Sequence, residues 1–187
     1  MARNDNPQAV RLIDSLRQKV GAEDAKEFDK THALSKSADS KKKFGWAKDV
    51  CTYLEAHYEE ETIVKVRKEC RCNDGKSIAN KLLKYLHKAG SIRQFVDDFN
   101  RQETFAFLEY QTENRIVFCY PECYCACVKR VPEELSRTWC YCTLGNAEGI
   151  FKRVFGEGIR VSLLESIKTG ADRCAIEVEI EGETQAK

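Results

Sequence analysis

The 187-residue chain lacks an excess of either charge: 31 Lys and Arg stand against 30 Asp and Glu, a net charge of +1. A protein that holds nucleic acid by electrostatics carries a basic excess or stripe, so no nucleic-acid partner is expected. The short run Lys41 to Lys43 reads as a solvated helix start. Long apolar runs are missing as well. No stretch approaches the roughly 20 residues that a membrane helix needs. The opening Met1-Ala-Arg-Asn-Asp-Asn-Pro7 has no apolar h-region of a secretory signal. A cytoplasmic chain with no membrane partner is the expectation. Histidine is scarce: His32, His57 and His87 are scattered, with no ligand-type residue at helical spacing beside them. Gly-rich phosphate loops, His-Glu-x-x-His and Gly-x-Ser-x-Gly are also absent.

Cysteine is what the chain has in quantity. Six of its 10 cysteines fall between Cys119 and Cys142. Cys123, Cys125 and Cys127 alternate, so an extended backbone would set their thiols on one face, about 6–7 Å apart. Cys140 and Cys142 repeat the Cys-x-Cys spacing, and Cys70 and Cys72 form a third such pair upstream. In a reducing compartment, clustered thiols bind metal or do redox work rather than form structural disulfides. Soft thiolates select zinc, copper(I) and iron–sulfur clusters. Cys70, Cys72, Cys123, Cys125, Cys127, Cys140 and Cys142 are therefore the candidate metal ligands. They outnumber the four that one zinc requires, so some are expected to be reactive or to lie around the ligands, or the site to hold more than one ion. Cys51 lies on an apolar helical stripe and is read as core; Cys119 and Cys174 stay open between core and site.

Aromatic residues interleave with these thiols. Tyr124, Trp139 and Tyr141 are expected either to cover the site or to line a pocket for a flat ligand. Arg130, Arg137 and Arg173 are candidates for a carboxylate clamp. Glu165 and Glu122 are candidate bases.

The apolar pattern divides the chain by period. Val10, Ile13, Leu16 and Val20 make a helical stripe, and residues 22–40 read as a short helix or wrapping linker. Phe44, Ala47, Val50, Cys51, Leu54 and Tyr58 form the clearest stripe. A helix with Ile63, Val66 and Arg67 follows, then one with Ile78, Leu82, Tyr85 and Leu86, then a short one opened by a Ser91-Ile-Arg-Gln94 capping box. From Phe105 the period becomes two. Strands are expected at 105–110 and 115–119, joined by a turn at 112–114, and again at 160–166 and 173–180 about a turn at 168–170. A helix with Leu144, Ala147, Phe151 and Val154 lies between the pairs, and a frayed tail follows Glu181. The fold class is α+β: a helical N-terminal half, residues 1–101, packed on a cysteine-rich α/β sandwich with a small antiparallel sheet, residues 102–187, the two expected to form one compact unit.

The stretch Thr138-Trp-Cys-Tyr-Cys-Thr-Leu-Gly145, with Glu165 on a strand and Gly170-Ala171-Asp172-Arg173-Cys174 at the end, resembles the close of 4-vinyl reductase domains. It is also similar to aminothiazoline-carboxylate hydrolase-like proteins. The chain as a whole looks closer still to an uncharacterised cysteine-rich bacterial family, a domain of unknown function. The chain departs from the vinyl-reductase pattern at Ser166-Ile167, at Ala171 and at Ile176. The resemblance implies a vinyl-reductase-like, ligand-binding α/β sandwich over residues 102–187, with room for a metal, and no particular activity. The expectation is thus a metal-thiolate protein, zinc first and an iron–sulfur cluster second, that binds a small-molecule ligand or senses metal or redox state, with a homodimer among its partners. The rival is a metal-dependent hydrolase of small carbon–nitrogen or thiazoline substrates.

Overall fold

The structure, a computed structural model, describes residues 4–181. The expected frayed tail lies outside the described residues. Along the chain run α1 (Pro7–Lys19), α2 (Ala22–Thr31), α3 (Ser40–His57), α4 (Glu60–Lys68), α5 (Lys76–Leu86), α6 (Ile92–Gln102), β1 (Phe107–Thr112), β2 (Arg115–Tyr120), α7 (Arg137–Cys140), α8 (Cys142–Phe155), β3 (Ile159–Glu165) and β4 (Cys174–Ile180). The α+β class holds. Contacts divide the chain into two units: Met1–Cys72 with Tyr124–Gly145, and Asn73–Cys123 with Asn146–Lys187.

In the first unit α1 and α3 begin where the sequence supplies a side-chain cap. Asn6 accepts from Gln8 N ahead of Pro7, and Asp39 accepts from Lys42 N ahead of α3. The acidic first turn of α4, Glu60 and Glu61, and its basic last turn, Lys65, Arg67 and Lys68, both suit the helix dipole. The buried stripe of α3, with Phe44, Ala47, Val50, Cys51 and Leu54, matches its sequence period. The Ser15 hydroxyl donates to Val66 O at 2.7 Å and ties α1 to α4.

The first turn of α8 also belongs to this unit and runs against the last turn of α4. A Cβ on Gly145 would lie 1.8 Å from Lys68 O. Only a glycine allows the two backbones to approach this closely.

In the second unit the sheet has the order β1-β2-β4-β3, all antiparallel. Both expected hairpins form. Leu108, Phe118, Ile176 and Leu163 align across the sheet on one face, all buried. Phe118 packs against Phe151 of α8 with ring centres 5.4 Å apart, and Phe155 meets Phe95 of α6 at 6.2 Å. The opposite face carries Phe107, Cys119 and Ala175 in register. Arg173 closes this face, holding Glu165 at 3.0 Å and both oxygens of Glu109.

Gly145→Ala is expected to destabilise the fold by about 3 kcal/mol, because the new methyl group meets backbone rather than a movable side chain. Chemical denaturation of the variant checks this; an unchanged midpoint would mean that α8 does not approach α4 this closely.

Candidate functional site

The first unit buries an arginine. Arg67 follows Ile63 and Val66 on the inward face of α4 and has no exposure at all. Its Nη2 donates to Trp139 O at 2.7 Å and its Nε to Thr138 O at 3.3 Å. These carbonyls lie in α7, a helix of one turn whose C-terminal acceptors need outside donors. The guanidinium carbon stands 4.4 Å from the centre of the Trp139 ring, and Trp139 meets Trp46 edge-on. Nη1 has no hydrogen-bond partner. Burial opposes this cation most strongly, and the thiols whose ionised forms would favour it are, in order, Cys70, Cys142, Cys51 and Cys125.

A buried guanidinium with no carboxylate is costly unless another anion faces it. Cys125 is placed to be that anion. Its thiol is pushed down from 9.0 to about 6, first because Cys127 hydrogen-bonds to it and then because Trp139 and Arg67 lie beside it, with burial opposing. The Trp139 indole lies beside the Cys125 sulfur, although its Nε1 closes no hydrogen bond by geometry. The Cys127 thiol is held protonated by the same hydrogen bond and by burial. The other thiols of the unit are poor acids. Burial pushes Cys51 up to about 11, and it raises Cys70, Cys72 and Cys142 as well. Cys72 is exposed, and its sulfur accepts from Gln8 Nε2.

Six of the seven candidate ligands, Cys70, Cys72, Cys125, Cys127, Cys140 and Cys142, therefore fall in the first unit, and Cys123 falls in the second. The expected extended triplet does not form. A turn begins at Ala126, where Val128 N and Lys129 N both donate to Cys125 O, so Cys125 and Cys127 are brought together by a bend. Cys140 and Cys142 lie in helical backbone, where residues two apart point away from each other.

The metal-thiolate expectation is overturned. Among the described residues no three His, Cys, Asp or Glu side chains are gathered to hold a metal ion. That removes the zinc centre, the iron–sulfur alternative, the metal sensor and the metal-dependent hydrolase. A physical reason is the buried guanidinium of Arg67, whose charge acts on Cys70, Cys142 and Cys125 and would repel a dication brought among them.

Trp139 and Tyr141 are buried and Tyr124 is exposed. The Tyr141 hydroxyl donates to Glu60, and Ser136 donates to Glu55; both pairs border a cavity of about 400 Å³ that Tyr58 and Arg137 also line. In the second unit Arg173 clamps carboxylates of the protein itself, so Glu165 is ion-paired. Burial pushes the Cys119 thiol up to about 12. His32 and His57 both stack against aromatic rings. Sequence reasoning missed Arg67 as a site residue. The signal was available, since an arginine shares an apolar face with Ile63 and Val66.

The fold and site define an α+β protein whose first unit holds six of the seven candidate cysteine ligands together with a buried arginine. The chain belongs to a family of unknown function, DUF6144, whose match covers residues 1–185. No curated protein matches it. Among solved structures it is similar to an H-NOX protein from S. oneidensis in the Fe(II) ligation state, at 16% identity, 97% of this chain, 99% of that chain and a TM-score of 0.47. The H-NOX domain from Shewanella oneidensis in the Fe(II)CO state gives 17%, 95%, 99% and 0.46. An unliganded Fe(II) H-NOX protein mutant from K. algicida gives 10%, 97%, 100% and 0.43. Likenesses this distant carry no activity over to this chain.

Arg67→Met is expected to cost about 3 kcal/mol, since it strips two α7 carbonyls of their donor and a thiolate of its cation. Urea unfolding measures the loss. A variant as stable as the parent would remove Arg67 from the centre of the site.

Proposed function

We propose that the protein works through reversible thiol–disulfide exchange at Cys125 and Cys127, with a small disulfide as its partner. The observation that carries this reading is the turn after Cys125, where Val128 N and Lys129 N donate to Cys125 O and bring the Cys127 thiol toward Cys125, whose own thiol is pushed down to about 6. A thiolate held by a cation and a hydrogen bond is the form that attacks disulfides.

The exchange runs in two displacements. The Cys125 thiolate attacks one sulfur of a disulfide RSSR. The S–S bond breaks, a mixed disulfide Cys125–S–SR forms, and RS⁻ leaves and takes a proton from water. The charge and the hydrogen bond that held the proton on Cys127 are then gone, so Cys127 ionises more easily. Its thiolate attacks the Cys125 sulfur and expels the second RS⁻, which is protonated in turn. Two protein thiols are oxidised and one RSSR is reduced to two RSH.

The product differs from the reactant in charge. Arg67 loses its thiolate and keeps its burial, so oxidation is expected to lower the stability of the protein by about 3 kcal/mol. Comparing the urea midpoints of the reduced and oxidised forms tests this coupling; equal midpoints would detach Arg67 from the thiol pair.

The pH dependence follows from the lowered pKa of Cys125. Its alkylation rate by iodoacetamide is expected to rise through a midpoint near 6 and to level off above it. Because the folded value lies below the ordinary 9.0, the thiolate contributes its full stabilisation above about pH 9, and that contribution is lost as pH falls through about 6. Cys127→Ala removes the largest cause and should move the midpoint upward. A wild-type midpoint near the ordinary thiol value would sink the proposal.

A further inference from the structure

The cavity bordered by Glu55 and Glu60 lies within the first unit, and no cysteine lines it. Its volume of about 400 Å³ falls in the range of small-molecule pockets. The end of α3 and the start of α4 form one wall, and α7 forms the other. Ile63, Thr138 and Tyr141 of the lining are buried, whereas Glu55, Glu59 and Glu60 are exposed, so a largely apolar floor carries an acidic rim. Two rings are fixed by their hydroxyls: Tyr58 donates to Asp24 at 2.9 Å, and Tyr141 donates to Glu60. Glu55 accepts from Ser136 in the same way. A carboxylate has about four acceptor sites, so Glu55 and Glu60 each keep several for a ligand. Against the three carboxylates the lining sets one cation, Arg137, and the positive end of α4 offsets part of the charge of Glu60. The lining stays negative.

These carboxylates do not converge on a point: among the described residues no three His, Cys, Asp or Glu side chains are gathered to hold a metal ion. A cation that answers them together must carry its charges apart. The Ile63 side chain and the two tyrosine rings suit the methylene groups between such charges. We infer that this cavity binds a linear aliphatic polyammonium ion, with its ammonium groups on Glu55, Glu59 and Glu60 and its methylenes on Ile63, Tyr58 and Tyr141. An ammonium group brings three donors and no acceptor, which matches a rim of acceptors. A metal dication would reach fewer of the carboxylates and bury no apolar surface. The inference goes beyond the thiol–disulfide reading and does not depend on it.

The test titrates spermidine into the reduced full-length protein by calorimetry at about 0.15 M salt, where distant charges are screened. One saturable site per chain is expected. Glu55→Gln and Glu59→Gln, both at exposed positions, should each weaken binding about fivefold. Asp14→Asn, which removes the same charge from an exposed position of α1 outside the lining, should leave binding within about twofold of the parent. Magnesium at the same concentration as spermidine should not displace it. Heats that never saturate, a loss in Asp14→Asn equal to that in Glu55→Gln, or displacement by equimolar magnesium would overturn the site and leave only diffuse attraction to an acidic surface.

Discussion

A single buried charge organises the first unit. Arg67 has surrendered its water, and no carboxylate replaces it. Three features offset that cost. The α7 carbonyls of Thr138 and Trp139 accept its protons, the Trp139 ring lies against its face, and the surrounding thiols offer one that ionises readily. The first two are dipolar and fixed. Only the third carries a full charge, and only the third can be altered by chemistry. The placement of Arg67 therefore joins the packing of α4 and α7 to the protonation and oxidation state of one sulfur.

The same cation explains why so many cysteines do not make a metal centre. Ligand clusters need thiolates that converge on an empty point. Here a buried guanidinium acts on several of the thiols, Cys125 and Cys127 are pushed in opposite directions by each other, and the helical pair Cys140 and Cys142 diverges. Burial keeps Cys51 protonated although Arg67 acts on it, and in the second unit burial does the same for Cys119. Cysteine count alone says little about reactivity; burial and the hydrogen bonds that reach each sulfur say much more.

In the second unit the electrostatics are of the opposite kind. Arg173 stands at the sheet surface between Glu109 and Glu165, and its charge is fully answered by protein carboxylates. Such a clamp holds β1 and the β3–β4 hairpin, with each guanidinium nitrogen bonded to a carboxylate oxygen. The contrast identifies the unit in which an arginine remains available for chemistry: it is Arg67, whose partners are sulfur and carbonyl oxygen.

Much of this fold was legible from residue order. The stripes of α1, α3 and α4 and the alternation from Phe105 onward follow from helical and strand periods, and the capping residues set the starts of α1, α3 and α6. Those signals are local, and local geometry is what spacing encodes. The backbone bend after Cys125 was not legible, so Cys123-x-Cys-x-Cys read as an extended triplet. Nor was the meeting of Cys72 with Cys125, 53 positions apart along the chain, which depends on residues 124–145 joining the unit of residues 1–72. The sequence by itself determined the α+β class, the helix and strand periods, and the wealth of thiols. Only the tertiary structure decided which thiol is acidic, because a pKa depends on burial and on groups brought close through space: Cys127 by the bend that follows Cys125, then Trp139 and Arg67 from other parts of the chain.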